Sequence, residues 1–269
     1  MMQRAMTSPL RKVRRLSLVA LFLVPMLFWA AWFRYGYGPE HRLKGPRIVY
    51  WAWERPEDLR FLDPQKEGVA FLASSVELLP GSVHVEPRMQ PRDLPPGIQL
   101  VAVVRIFSHA DRPPALAAEQ RSETLEALLA ATRAPSVSAL QIAFDARTSE
   151  RGFYAQLLYE LRRELGPAYP ISMTALATWC IGDRWIRELP VNEAVPMLFS
   201  MGSEEVLIRN YLGSTGTFPE PLCRGSLGIS TGKWWPNPIH SRTRVYVFHN
   251  GPWTREAVLA VRSGIHRGM

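Results

Sequence analysis

Apolar runs rich in β-branched and aromatic residues recur at 48–53, 69–76, 99–107, 139–144, 171–175, 195–199, 227–231 and 245–249. Turn residues separate them, and the texture predicts eight strands. Between them lie helical patterns at 118–132, 150–165, 183–189 and 204–212, and one more follows at 254–265. The helix after the fourth strand is the clearest: Phe153, Leu157, Leu158, Leu161 and Leu165 recur at three- and four-residue spacing, with Ser149 placed to cap it and Gly166-Pro167 to stop it. Strands 101–107 and 195–199 are apolar almost throughout, as expected when both faces are covered. Alternating strand and helix with such strands predicts a parallel sheet closed into a (β/α)8 barrel of the TIM type. An open doubly wound sheet is the alternative, and the chain carries no G-x-G-x-x-G loop to support it. The Pro-rich stretch 79–97, centred on Val83-His84-Val85, predicts an inserted hairpin or loop after the second strand.

A different pattern occupies the start of the chain. Residues 16–33 form an uncharged apolar run, just long enough to cross a hydrocarbon core of about 30 Å as a helix. Arg4, Arg11, Lys12, Arg14 and Arg15 precede it, whereas Arg34, Arg42, Lys44 and Arg47 follow it, so the positive-inside bias toward a cytoplasmic N-terminus is modest. Phe28-Trp29 ahead of Ala30-Ala31 disfavours signal-peptide cleavage, the competing reading. The expected organisation is a basic segment 1–15, a transmembrane anchor 16–33, a linker 34–46 and one domain over 47–269. A single-pass inner-membrane protein follows, with that domain in the periplasm or outside the cell.

Composition changes this picture little. Apolar content of 47% with nine Trp is ample for a core, and the net charge of +8 is partly anchor flank and otherwise scattered. Nucleic acid is therefore not an expected partner. No metal-ligand spacing, phosphate loop or nucleophile elbow occurs, so no metal or cofactor is expected. The two cysteines, Cys180 and Cys223, are candidates to pair in an oxidising compartment, although spacing alone does not bring two Cβ atoms within reach.

In barrels of this type chemistry sits where strands end at the C-terminal face. Gln141, Ala143 and Asp145 share one side of the fourth strand, so Asp145 ends it pointing at the barrel mouth. Asp145 is the leading candidate acid, the alternative being a loop carboxylate that caps a helix or pairs with Arg147 or Arg151. Glu77 and Glu54, closing the second and first strands, are candidate second carboxylates, because glycoside hydrolysis uses two. Trp53 and Trp179 are candidate sugar platforms, and Asp183, His249 and Asn250 candidate ligand contacts. Arg105 lies within an apolar strand, where an unanswered charge is costly, and its expected partner is Asp145 or Glu77.

The segment ALQIAFDARTSERGFYAQLLYELRRELGPAYPISMTALATWCIGDRWIRELPVNEAVPMLFSMG, residues 139–202, resembles the bacterial family called domain of unknown function 3142. Weaker motifs at 48–53 and 244–253 extend the resemblance over most of the soluble part. It implies a barrel-like domain behind an export signal or lipid anchor, without an established activity. In that family the fourth strand carries acids at both inward positions. Asp145 matches, whereas Ala143 stands where an Asp is usual, and Gly232-Lys233 stands where an acidic pair often follows the seventh strand. The resemblance thus implies a member that has lost carboxylates. The expectation is a barrel that binds or hydrolyses a carbohydrate or cell-wall polymer through Asp145 with Glu77 or Glu54; the alternative is a non-catalytic envelope scaffold.

Overall fold

The computed structural model describes residues 43–88, 92–134 and 136–266. The expected anchor 16–33 and the basic segment before it lie outside these residues. Among the described residues no helix is long and apolar enough to cross a membrane.

Eight parallel strands close on themselves. In chain order the strands are β1 (Ile48–Ala52), β2 (Glu57–Asp58), β3 (Glu67–Leu78), β4 (Val83–Pro87), β5 (Arg92–Asp93), β6 (Gln99–Ser108), β7 (Val137–Phe144), β8 (Ile171–Leu176), β9 (Glu193–Met197), β10 (Ser226–Ser230) and β11 (Arg244–Phe248). The order β1-β11-β10-β9-β8-β7-β6-β3 is completed by β1 pairing with β3, from Ile48 opposite Glu67 to Ala52 opposite Phe71. Every expected strand is present. The helices are α1 (Ala118–Thr132), α2 (Arg151–Leu165), α3 (Glu205–Thr215) and α4 (Arg255–His266).

The wall is uneven at one seam. β3 continues to Leu78 after β1 has stopped at Ala52, and β4 pairs antiparallel with its free upper half, Ser74 opposite Pro87 to Leu78 opposite Val83. This is the expected hairpin. Gln120 of α1 donates to the Leu79 and Ser82 carbonyls at 2.6 and 2.9 Å, which fixes its turn.

Two expectations about helices need correction. Residues 183–189 form successive turns, not a helix: the Arg187 and Leu189 amides donate to the carbonyls three residues earlier. A segment this short is marginal as a helix, and burial of Ile186 and Leu189 holds it in a tighter path. Ser149 does not cap α2. A 3₁₀ turn, Thr148–Glu150, leads into it, and the buried Glu150 carboxylate accepts the Arg147 amide at 2.8 Å and the Ser108 hydroxyl at 2.5 Å. Gly166 ends α2 with φ of 75°, the left-handed region that favours glycine.

Strand alternation divides the core. One side of the wall packs under the helices, where Phe153, Tyr154, Leu157, Leu158 and Leu161 of α2 are buried. The other side fills the barrel with Val49, Trp51, Ala70, Val101, Val103, Ala139, Val195 and Tyr246. A polar chain also crosses the barrel. The Trp51 indole donates to Gln141 at 2.8 Å, Gln141 to Ser172 at 3.1 Å and Ser172 to Glu193 at 3.0 Å, while the Tyr246 hydroxyl donates to Glu193 at 2.7 Å. All are buried, so each donor and acceptor needs its partner.

Cys180, in a 3₁₀ turn after β8, and Cys223, in the turn before β10, form a disulfide with Cα atoms 5.9 Å apart. It closes a loop with a sequence separation of 43, for which chain entropy assigns about 4 kcal/mol of stability. Replacing both cysteines by Ala is expected to lower Tm by about 8–16 °C. Calorimetry checks this, and an unchanged Tm would mean that the cross-link restrains nothing the unfolded chain would otherwise explore.

Candidate functional site

The C-terminal ends of the strands surround a cleft of about 380 Å³. One wall is aromatic because inward positions continue past the strand ends. Phe199 and Phe248 stack at 5.6 Å, Trp53 meets Phe248 edge-on at 6.4 Å, and Trp51 meets Phe199 at 6.0 Å. Glycine at 228 lets β10 pass close to this floor, since a Cβ there would come within 3.0 Å of the Trp51 ring. The cleft also carries the polar residues Glu54, Arg105, Asp145 and Arg147.

Among the described residues Asp145 neither caps a helix nor forms an ion pair. Arg147 instead binds Glu150 at 3.1 Å and the Ser108 and His109 carbonyls at 3.1 and 3.3 Å. Arg151 is paired with Asp183. Among the described residues Asp145 has no hydrogen-bond partner, and its carboxylate is open to solvent in the cleft. The surrounding concave wall still raises its pKa above the usual carboxylate range, and Arg105 pulls the other way. Exposure and crowding are compatible here, because the carboxylate opens upward from a depression lined by protein.

Arg105 is bound to Glu54 at 3.1 Å, not to Asp145 or Glu77. Register explains the choice: Arg105 lies opposite Ala143, two positions before Asp145, and reaches across the mouth to the turn leaving β1. That turn is pinned by Arg88 from the hairpin, which donates to the Ala52, Trp53 and Arg55 carbonyls. Glu77 does not line the cleft; it binds His109 at 2.9 Å and Arg112 at 3.5 Å.

Four further sequence candidates sit elsewhere. Trp179 is 2% exposed and packs edge-on against Trp185 at 4.9 Å, so its ring is core and offers no platform to a ligand. His249 bonds to Thr231 and packs on Trp253, with its pKa lowered by burial and by Arg55. The Asn250 carbonyl accepts from Arg55. Asp183, held by Arg151, also lies off the cleft. The mouth thus gathers Asp145, Glu54, Arg105 and Trp53 from the sequence candidates. It adds Trp51, Phe199, Phe248 and Arg147; only its inward phase beyond the end of β9 marks Phe199 in the sequence. Among the described residues no group of three or more His, Cys, Asp or Glu could hold a metal ion.

Fold and site together define a (β/α)8 barrel with an aromatic and carboxylate-bearing mouth. A crystal structure of "putative Chitinase A" from Streptomyces coelicolor is similar to it, with a TM-score of 0.53 at 8% identity over 83% of this chain and 96% of that one. The likeness is one of fold. No protein-family model and no curated protein sequence matches the chain.

Proposed function

We propose that the mouth binds a carbohydrate chain and cleaves it, with Asp145 as proton donor to the leaving oxygen and Glu54, steadied by Arg105, as the second carboxylate. The observation that carries this is an unpaired acid with a raised pKa in an aromatic-walled cleft. A general acid must hold its proton near the working pH, and the faces of Trp53 and Phe248 suit stacking on sugar rings. The chitinase-named barrel supports a carbohydrate polymer as ligand. The resemblance of residues 139–202 to domain of unknown function 3142 points to the same kind of exported barrel.

A second reading is binding without cleavage. It is favoured by the Arg105 ion pair on Glu54 and by Ala143 at the inward position before Asp145. Incubating the protein with chitin oligomers and peptidoglycan glycan strands separates the two. New reducing ends support hydrolysis; retention on the polymer without them supports binding, and neither result would dismiss both.

The proposal places this barrel outside the cytoplasm behind an anchor at 16–33. An alkaline phosphatase fused after Tyr37 is expected to be active and membrane-bound, whereas an inactive fusion would reverse the topology.

A further inference from the structure

Behind Asp145, on the helix side of the wall, lie buried donors without acceptors. The Tyr154 hydroxyl, the Trp185 indole nitrogen and Arg151 Nε have no hydrogen-bond partner, although Tyr154 is fully buried. They form one group. The rings of Tyr154 and Trp185 are 6.1 Å apart, and the Arg151 guanidinium lies 5.2 Å over the Trp185 ring. Tyr154 also packs on Phe144, the neighbour of Asp145, with centroids 5.1 Å apart. An unmet buried hydroxyl costs about 1–3 kcal/mol, so several together call for an acceptor that reaches them.

We infer that Tyr154 is a positioning residue for Asp145, its hydroxyl donating to the Asp145 carboxylate when that side chain turns from the cleft toward the barrel wall. Asp145 is the neighbouring acceptor with no partner of its own, since Glu150 is occupied by Arg147 and Ser108 and Asp183 by Arg151. The two groups are within electrostatic reach: burial raises the Tyr154 phenol, and the Asp145 charge raises it further. Arg105 from β6, Arg147 from the loop after β7, Glu54 from the turn after β1 and Arg151 of α2 are the other charged groups around this position. Turned inward, the carboxylate is held as the anion by a donor; turned outward, it lacks that donor and keeps its proton more readily. One acid would then have two positions of different acidity, which suits a residue that gives up a proton and recovers it. This deepens the reading of Asp145 as the acid of the cleft.

Titration of the Asp145 carboxyl carbon by NMR in the full chain, with and without Tyr154→Phe, tests it. The sign follows from the charge: a donor to the carboxylate lowers its pKa, so the Asp145 midpoint is expected to move up in the variant. In the unsubstituted protein the Tyr154 Cζ resonance is expected to shift with the Asp145 midpoint, a measurement that needs no variant to fold. An Asp145 midpoint that stays or falls in Tyr154→Phe, or a Tyr154 resonance indifferent to Asp145, would overturn the inference. Neither readout depends on substrate, so a protein that cleaves no glycan would sink the hydrolase reading without deciding this one.

Discussion

Asp145→Asn is expected to reduce glycan cleavage about 100- to 10,000-fold, the usual contribution of a positioned general acid, while leaving the fold intact. The amide matches the carboxyl in shape but cannot give a proton to the leaving oxygen. Because the surrounding wall desolvates the Asp145 carboxylate and raises its pKa, wild-type activity is expected to persist above the ordinary carboxylate range and to fall as pH rises through that pKa. The same shift predicts a stability effect. A group whose folded pKa is raised contributes stability that is fully present below its unfolded value and lost as pH rises through the folded one. Asp145→Asn therefore should melt higher than wild type at neutral pH, with the gap closing below about pH 3.9. Paired rate and melting profiles against pH measure both. A variant that retains activity would remove Asp145 from the chemistry; one no more stable than wild type at neutral pH would show that the surrounding wall costs the charged carboxylate nothing.

The second large effect lies at the other end of the barrel. Glu67, 2% exposed, accepts from the Tyr50 hydroxyl at 2.8 Å, the Asp63 amide at 2.9 Å and Arg262 at 2.7 and 2.5 Å. One carboxylate thereby joins β1, the loop before β3 and α4. Burial pushes its pKa up, but the hydrogen bonds from Arg262, Asp63 and Tyr50 outweigh that and hold it below the usual range. Glu67→Ala leaves Tyr50 buried without this acceptor and is expected to cost about 3–5 kcal/mol, or about 6–20 °C of Tm. A lowered folded pKa contributes stability above the unfolded value, about 4.3 for Glu, which is lost as pH falls through the folded one. Glu67→Gln should accordingly flatten the acid limb of the stability curve. Melting curves from pH 3 to 7 test this, and an unaltered acid limb would show that Glu67 is not what acid releases.

The strands were legible because inward and outward positions alternate whatever the distant partners are; Gln141, Ala143 and Asp145 could be put on one face from spacing alone. Partner choice was not legible. Arg105 looked bound for Asp145 or Glu77, but its partner lies 51 residues back in a turn that Arg88 aims. Trp179 had the composition of a sugar platform, and only the packing of Trp185 against it shows a core residue. Tyr154 is not among the positions that the spacing along α2 singles out. Its hydroxyl becomes informative only when the carboxylates of Glu150 and Asp183 are seen to be taken and that of Asp145 is not.

The polar chain across the barrel constrains how this protein can change. Gln141 alone accepts from Trp51 on one side and donates to Ser172 on the other, so an apolar residue there leaves the Trp51 indole without its acceptor and the Ser172 hydroxyl with only its bond to Glu193. The same residue introduced together with apolar replacements at 51 and 172 leaves no donor unmet and can be nearly neutral. Interior positions 51, 141, 172, 193 and 246 should therefore drift as a set across descendants of this chain. A lineage that has exchanged one of them should be found to have exchanged its neighbours, a signature of epistasis written in hydrogen bonds.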